Sequence, residues 1–480
     1  MATSFYFYDL ETTGVNPREA RVMQFAGQRT DMDLKPIGEP HNILIRLSDD
    51  VVPEPDAILI TGITPQQTIA DGITEAEFLK TFHEEVAVPG TIFVGYNTVR
   101  FDDEFMRFMQ YRNFYDPYEW QYTDKKSRWD MLDVVRMVRA LRPEGIEWPF
   151  DTKGSPSNRL EMLTKVNNIS HVGAHDALSD VNAVIDLARL IRDKQPKMFD
   201  YLLKMRDKKA IAELVEANQP FLYCSGKYST EYEKTAAVVA IAKHPKRQGM
   251  LVYDLRYDPT PFAAMTVAEL VEAWRWKKRD DPSPRLPVKT LQYNRCPAIA
   301  PMGVLDDSSA ERLQISKETI QENLKKLKQV DLVPKLLEAL EQLDKQQQAT
   351  FLQDDQEVDA RLYDAFIGDQ DKNASRVVRA ATATELSDLD VHFKDDRLSA
   401  LLPLYKARNF SRSLTDEERL EWERFRTRKL LGGKQNSRLA KFFNRLAELA
   451  EKTDLSERDQ FLLEELQLYG QSILPADLDS

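Results

Sequence analysis

Hydrophobic positions change their period along the chain, and those changes divide it into three regions. Phe5 to Leu10 is an aromatic-rich run with the character of a strand, and Glu39 to Leu47 and Thr91 to Tyr96 read the same way. Beyond the third run, Phe101, Phe105, Phe108 and Met109 recur at the i, i+4, i+7, i+8 positions of an amphipathic helix. Val181, Val184, Ile185, Leu187, Ala188 and Ile191 predict a second helix over 177–193. Strands alternating with helices over residues 1–195 predict an α/β fold, a sheet covered on its faces. From 196 to 350 the texture shifts to short strands (Ala236 to Ala242, Met250 to Asp254), a basic-aromatic run from Trp274 to Arg279 and a proline-rich turn region from Pro282 to Pro287. That reads as a smaller α+β or barrel-like module, and a helical stretch over Ser316 to Gln347 leads out of it. Residues 351–480 carry mainly helical patterns, Glu417 to Leu431 and Ser437 to Ala450 among them. No internal repeat is present.

Composition narrows the class. A chain of 480 residues exceeds one ordinary hydrophobic core, so two or three domains are expected. Hydrophobic residues at 42% and charged residues at 30% give the balance of a folded soluble protein. No stretch approaches the roughly 20 apolar residues of a membrane span, and Met1 to Ser4 runs into the first strand with no secretory signal, which places the protein in the cytoplasm. Two cysteines, Cys224 and Cys296, suffice for neither a disulfide framework nor a zinc site, and read as reduced, partly buried thiols. The net charge of −12 does not exclude a polyanionic partner, because affinity depends on where Lys and Arg cluster.

Three acidic strings carry candidate chemistry. Asp9-Leu10-Glu11-Thr12-Thr13-Gly14 ends the first strand, and strand alternation points Asp9 and Glu11 to one face. Adjacent carboxylates repel and resist desolvation, and a divalent cation resolves both problems; the string alone reads equally as a solvated strand end. Asn97 closes a strand before a helix near Asp102-Asp103-Glu104, where acids also simply complement the helix dipole. His175 lies five residues before Asp180 at the entry to the second helix, and an imidazole titrating near neutrality there suits a general base. His171 is the competitor, but it lacks that spacing to a carboxylate. Four carboxylates and a histidine in this order fit a phosphodiester hydrolase with two metal ions, roughly 4 Å apart, and a water attacking in line.

Asp-x-Glu-Thr-x-Gly, Asn-x-x-x-Phe-Asp and His-Asp-Ala-x-x-Asp, in that order, resemble the three motifs of the DEDDh 3′–5′ exonucleases, which have an RNase H-like fold. Longer strings resemble the bacterial exodeoxyribonuclease I family: Leu59 to Gln66, Tyr111 to Tyr118, Ser127 to Asp130, Ala140 to Gly145, Gln195 to Tyr201, Val358 to Asp364 and Lys406 to Phe410. The resemblance spans nearly the whole chain. It implies a nuclease domain with a mixed sheet over 1–195, an SH3-like domain over 196–350 and a helical C-terminal domain over 351–480. It also implies 3′-to-5′ degradation of single-stranded DNA to 5′-mononucleotides by a monomer acting in DNA repair and recombination. Carried over by motif, Asp9, Glu11, Asp102 and Asp180 are the expected ligands of two Mg²⁺ ions, with Mn²⁺ able to substitute, and His175 the expected base. Asp102 is chosen over Asp103 because it directly follows Phe101. Leu10 and Thr13 follow the superfamily pattern more closely than that of the narrower family.

Arginines interleaved with aromatics between the second and third motifs suit single strands, where guanidinium groups hold phosphates and rings stack on bases. Arg107, Arg112, Arg128, Arg136 and Arg159 are the expected DNA contacts, with Thr12 beside the carboxylates; Phe114, Tyr115, Trp129, Arg139 and Arg142 lie among them, and Trp274 to Arg279 offers a second contact. The family binds the acidic tail of single-stranded DNA-binding protein, and Arg142 and Tyr201 match two positions of that pocket, whereas Gln219 and Asp306 fall where the family has Lys and Arg. Two other readings use the same motifs: an exonuclease acting on RNA, which the long C-terminal extension disfavours, and a non-catalytic single-strand clamp, which the full set of five catalytic candidates disfavours.

Overall fold

β1 (Ser4–Thr12) sets the architecture, because almost every residue in it is buried. Tyr6, Tyr8 and Leu10 point into an aromatic core with Phe25, Phe78, Phe82, Phe93 and Trp120, leaving Phe5, Phe7, Asp9 and Glu11 to share the opposite face. β2 (Val22–Thr30) pairs antiparallel to β1, β3 (His41–Leu44) antiparallel to β2, and β4 (Thr91–Gly95) parallel to β1. These four form a mixed sheet in the order β3-β2-β1-β4, and β5 (Ser127–Asp130) is the next strand along the chain. The computed structural model describes residues 3–171, 176–275, 284–352 and 357–476.

Two compact units emerge, and neither is one continuous stretch. The first comprises Met1–Ser127, His171–Asn182 and Gln356–Ser480, and the second Arg128–Ser170 and Ala183–Asp355. Within the first unit the C-terminal helices share cores with the N-terminal strands. Leu430, Leu439, Phe442, Leu446, Leu462 and Leu466 bury themselves with Met23, Leu47, Val51 and Ile58. Leu362, Val378, Leu398, Leu401 and Tyr405 do the same with Phe108, Tyr111 and Phe114. At roughly 1.5–3 kcal/mol for each fully buried large apolar side chain, these two seams are substantial.

A buried ion network reinforces the first unit. Arg408 donates to Asp359 (2.7 and 2.9 Å) and to Asp50 (2.8 Å). Arg21 reaches Asp359 at 2.9 Å and Lys429 reaches Asp50 at 2.6 Å, with all five side chains at least nine-tenths buried. Burial alone would push the Asp50 and Asp359 carboxyls up, yet Arg408, Arg21 and Lys429 hold both well below the usual carboxylate range. Asp359 lies in the Val358 to Asp364 string and Arg408 in the Lys406 to Phe410 string, so both strings have a structural use.

The second unit contains an antiparallel five-stranded sheet in the order β10-β6-β7-β8-β9: β6 (Phe221–Cys224), β7 (Thr235–Lys243), β8 (Gly249–Asp254), β9 (Val288–Gln292) and β10 (Ala298–Pro301). Its core joins Phe221, Tyr223, Val238, Val252, Leu291 and Ile299 to Ile211 and Val215. Cys224 is buried there and Cys296 is partly exposed, and neither forms a disulfide.

Candidate active site

The acidic strings converge in the first unit. Asp9 and Glu11 leave the same face of β1 near its C-terminal end. Asp180 sits in the first turn of the helix Ala177–Lys194. One oxygen from each of Asp9, Glu11 and Asp180 lies within 4.8 Å of the other two, which suits a metal ion. Asp102 opens the helix Asp102–Arg112 and is buried. Burial, followed by repulsion from Asp102, Glu11 and Asp180, raises the Asp9 carboxyl well above its ordinary range. Burial, followed by Asp180, Asp102 and Asp176, pushes Glu11 up to about 8. This strain is what a divalent cation relieves, so the residues present fit a metal.

Local chemistry separates Asp102 from Asp103. The Tyr8 hydroxyl donates to the Asp103 carboxylate at 2.5 Å, while Asp102 is the one whose charge raises Asp9 and Glu11. The close approach of β4 to β1 depends on Gly95, where a Cβ would stand 2.8 Å from the Tyr8 carbonyl oxygen and clash with the Thr98 side chain. Asn97 then takes a left-handed φ of 72° to turn the chain into the helix.

Histidine placement departs from the sequence reading. His171 Nε2 bonds the Asp180 carboxylate, and its side chain is 7% exposed. His171, set aside for lacking the spacing to a carboxylate, bonds an acid nine positions away in sequence, a pairing that no regular helical or strand period points to. Asp176, which adds to the repulsion on Glu11, was also missed as a member of the cluster. His175 lies outside the described residues.

The expected DNA contacts are divided between the two units. Arg112 is 3% exposed and its guanidinium bonds Glu75 at 2.9 Å, and Arg107 is spent on Glu104 (2.6 Å) and Gln121 (2.9 Å). Both guanidinium groups are engaged inside the fold, on a helix Asp102–Arg112 that is buried on nearly every face. Thr12 is buried and its hydroxyl donates to the Gly14 carbonyl oxygen at 2.9 Å. The other three lie in the second unit. Arg128 donates to the Asn294 carbonyl oxygen at 2.5 Å, Arg136 pairs with Asp133 at 2.6 Å, and Arg159 is 76% exposed with Glu161 3.8 Å away. Of the Trp274 to Arg279 run, Trp276 to Arg279 lie outside the described residues. At the candidate partner pocket, Arg142 bonds Asp306 at 3.2 Å and the Val304 carbonyl oxygen at 2.9 Å, and the Tyr201 hydroxyl donates to the Ile299 carbonyl oxygen at 3.1 Å.

Comparison with known proteins gives matches along the chain. Residues 6–188 match the family model described as Exonuclease, 206–343 that of the Exonuclease I SH3-like domain, and 356–473 that of the Exonuclease I C-terminal domain. The exodeoxyribonuclease I of Haemophilus influenzae is 38% identical over 98% of this chain and 99% of its own. Escherichia coli exonuclease I in complex with a dA16 oligonucleotide superposes with a TM-score of 0.91 at 37% identity, covering 98% of this chain and 100% of that one. A structure of SSB/exonuclease I in complex with the inhibitor CFAM gives 0.88 at 36% identity, covering 99% and 100%.

Proposed function

The chain belongs to the exodeoxyribonuclease I family, and from that membership we propose that it removes nucleotides one at a time from the 3′ end of single-stranded DNA. The observation that carries this reading is the meeting of Asp9, Glu11 and Asp180 within 4.8 Å, with the charge of Asp102 bearing on it. These four carboxylates would hold Mg²⁺, which when bound neutralises phosphate charge and lowers the pKa of a coordinated water. Two ions, with Mn²⁺ able to replace Mg²⁺, are part of the proposal.

The chain's own residues supply the rest. β1 fixes Asp9 and Glu11 on a rigid, buried strand, so the acidic cluster is organised before substrate arrives. His171 holds the Asp180 carboxylate in orientation. His175, next to that helix in sequence, takes the proton from the water as its oxygen bonds to phosphorus, and the P–O3′ bond that breaks leaves a 3′ oxygen that gains a proton from solvent to become the new 3′ hydroxyl. Each cycle releases a 5′-mononucleotide.

We assign the protein to DNA repair and recombination, acting as a cytoplasmic monomer with nuclease, SH3-like and helical domains near 1–195, 196–350 and 351–480. Among the described residues no helix is long and apolar enough to cross a membrane. Single-stranded DNA-binding protein is the proposed partner, its acidic tail meeting Arg142 and Tyr201, a reading supported by the relative solved with SSB. Oligonucleotides labelled at the 5′ or 3′ end, as DNA single strands, DNA duplexes and RNA single strands, test the function with Mg²⁺ and with EDTA. Metal-dependent release of mononucleotides from the 3′ end of single-stranded DNA is expected. Equal release from RNA, or from 5′ ends, would overturn the assignment.

A further inference from the structure

One cavity of the first unit carries a buried polar atom that the chain leaves without a partner. It holds about 290 Å³, is open to solvent, and lies between the segment 114–119 and the helix Asp369–Ala380. Lys372, Ser375, Arg376 and Arg379 line it from the helix at i, i+3, i+4 and i+7, the spacing of a single helix face. Ser375 is 3% exposed, and its Oγ has no hydrogen-bond partner among the described residues. A buried serine in a helix ordinarily bonds back to a carbonyl oxygen one turn earlier. An unused hydroxyl on a cavity wall therefore calls for a partner from outside the chain.

The charges around that hydroxyl are unevenly matched. Lys372 is held by Asp116 at 2.8 Å and Glu119 at 2.9 Å, which makes that end of the cavity acidic. Arg376 bonds the uncharged Asn373 side chain at 2.7 Å, and Arg379 donates to the Phe114 carbonyl oxygen. Neither guanidinium forms a salt bridge among the described residues. Burial lowers the Arg379 pKa, and the Arg376 charge adds to that lowering. Two uncompensated cations here are the positive counterpart of the repelling carboxylates Asp9 and Glu11.

Tyr115, at the same cavity, has no ring face left for a base. The Arg379 guanidinium stands 4.1 Å from its centre, and the His83 ring stacks on it at 4.2 Å with the planes 4° apart. The cavity thus offers charge and a hydroxyl. Guanidinium forks bind pairs of oxygens, and a hydroxyl can take a third, so the donor set exceeds the two oxygens of a carboxylate and suits a phosphate group. A terminal phosphate also carries about −1.5 to −2 charges at neutral pH, close to what two arginines balance. Asp116 and Glu119 at the other end repel a chain with a phosphate on every unit, which favours a single phosphate over a polyanion.

We propose that Ser375, Arg376 and Arg379 form a binding site for one phosphate dianion, free or as the terminal group of a mononucleotide. The site needs no metal and does not depend on the hydrolytic reading above.

Calorimetric titration of the full-length protein in EDTA, where the acidic cluster repels anions, tests it with sodium phosphate, thymidine 5′-monophosphate and thymidine. The proteins are the wild type, Ser375→Ala and Arg376→Gln. Arg376→Gln is expected to weaken phosphate binding about 10-fold and Ser375→Ala a few-fold, the scales of a charge-assisted and a neutral hydrogen bond. Ser375→Ala should leave the ligand-free melting temperature unchanged or higher, because its hydroxyl bonds nothing in the fold; a lost ligand is thereby separated from a folding defect. Tighter binding of the monophosphate than of phosphate, with the same dependence on both variants, identifies a nucleotide as the source, and equal affinities identify free phosphate. Phosphate affinity unchanged in both variants, or thymidine bound as tightly as its monophosphate, overturns the site. Fluorescence anisotropy of labelled dT12 in EDTA should be the same for all three proteins. A loss of dT12 binding in the variants with phosphate binding intact would assign these residues to a strand backbone and overturn the proposal.

Discussion

Two groups of buried carboxylates in the same compact unit behave in opposite ways. At the acidic cluster, Asp9 and Glu11 face Asp102 and Asp180, and burial and like charges both raise their pKa values, Glu11 to about 8. At the ion network, Asp50 and Asp359 are at least as buried, yet Arg408, Arg21 and Lys429 hold them well below the ordinary range. Burial is common to both, so it does not explain the difference; the sign of the neighbouring charge does. A group whose charge is already balanced by the chain stabilises the fold, whereas one left repelling is organised for a cation that arrives from outside. The comparison separates the carboxylates that build this protein from those that act in it.

The largest effect expected from breaking that contrast is on catalysis. Asp180→Ala should lower nucleotide release by roughly 10³-fold or more, the scale of losing several kcal/mol of transition-state stabilisation. Because it removes a repelling charge, it should leave the melting temperature in EDTA unchanged or higher. Asp359→Ala should do the reverse. It leaves Arg21 and Arg408 short of a partner in a buried setting, which should cost about 3–5 kcal/mol by chemical denaturation, while the metal-binding residues stay intact.

pH sharpens the contrast further. The folded-state pKa of Glu11 lies near 8 against an ordinary 4.5, so the metal-free native state holds a proton the unfolded chain has lost. Its contribution to stability is complete below about pH 4.5 and disappears as pH rises through about 8. Thermal melts in EDTA should show this decline between pH 5 and 8, and Glu11→Gln should flatten it. Asp50 and Asp359, with depressed values, contribute above their ordinary 3.8 and lose that contribution only as pH falls through their lower folded values. Asp359→Asn should therefore leave the slope between pH 5 and 8 intact.

An exposed pair gives the smallest effect. Arg142 and Asp306 meet at 3.2 Å with both side chains a third or more exposed, where an ion pair is worth at most about 1 kcal/mol. Asp306→Asn, which removes the charge and keeps the 2.8 Å bond from the Ser309 N–H that caps the following helix, should barely change stability. It should tighten binding of an acidic peptide to Arg142 by a few-fold, read by fluorescence anisotropy, since a competing carboxylate has been removed.

Much of this was readable from the residues. The alternation in β1 put Asp9 and Glu11 on one face, whereas their grouping with Asp102 and Asp180 came from the resemblance of the three motifs to the DEDDh exonucleases. β2 was missed: Val22 to Thr30 mixes Gln24, Gln28 and Arg29 among its apolar positions, and its burial comes from lying between β1 and β3. The strand expected over Glu39 to Leu47 shrinks to His41–Leu44, and the helical stretch from Ser316 divides into Lys317–Gln329 and Val333–Leu352, the second opening with Pro334 in its first turn. The burial of Arg107 and Arg112 was illegible because it depends on Glu75 and Gln121, brought in by tertiary packing. His171 and Asp180 stand nine positions apart, a separation that matches no regular period.

Calorimetric titration of Mn²⁺ into the metal-free protein at pH 8, with thymidine 5′-monophosphate present, addresses the acidic cluster most directly. Saturable binding is expected for the wild type and for Asp359→Asn, and its loss for Glu11→Gln and Asp180→Asn. Equal Mn²⁺ binding by all four proteins would contradict the assignment of these repelling carboxylates to a metal.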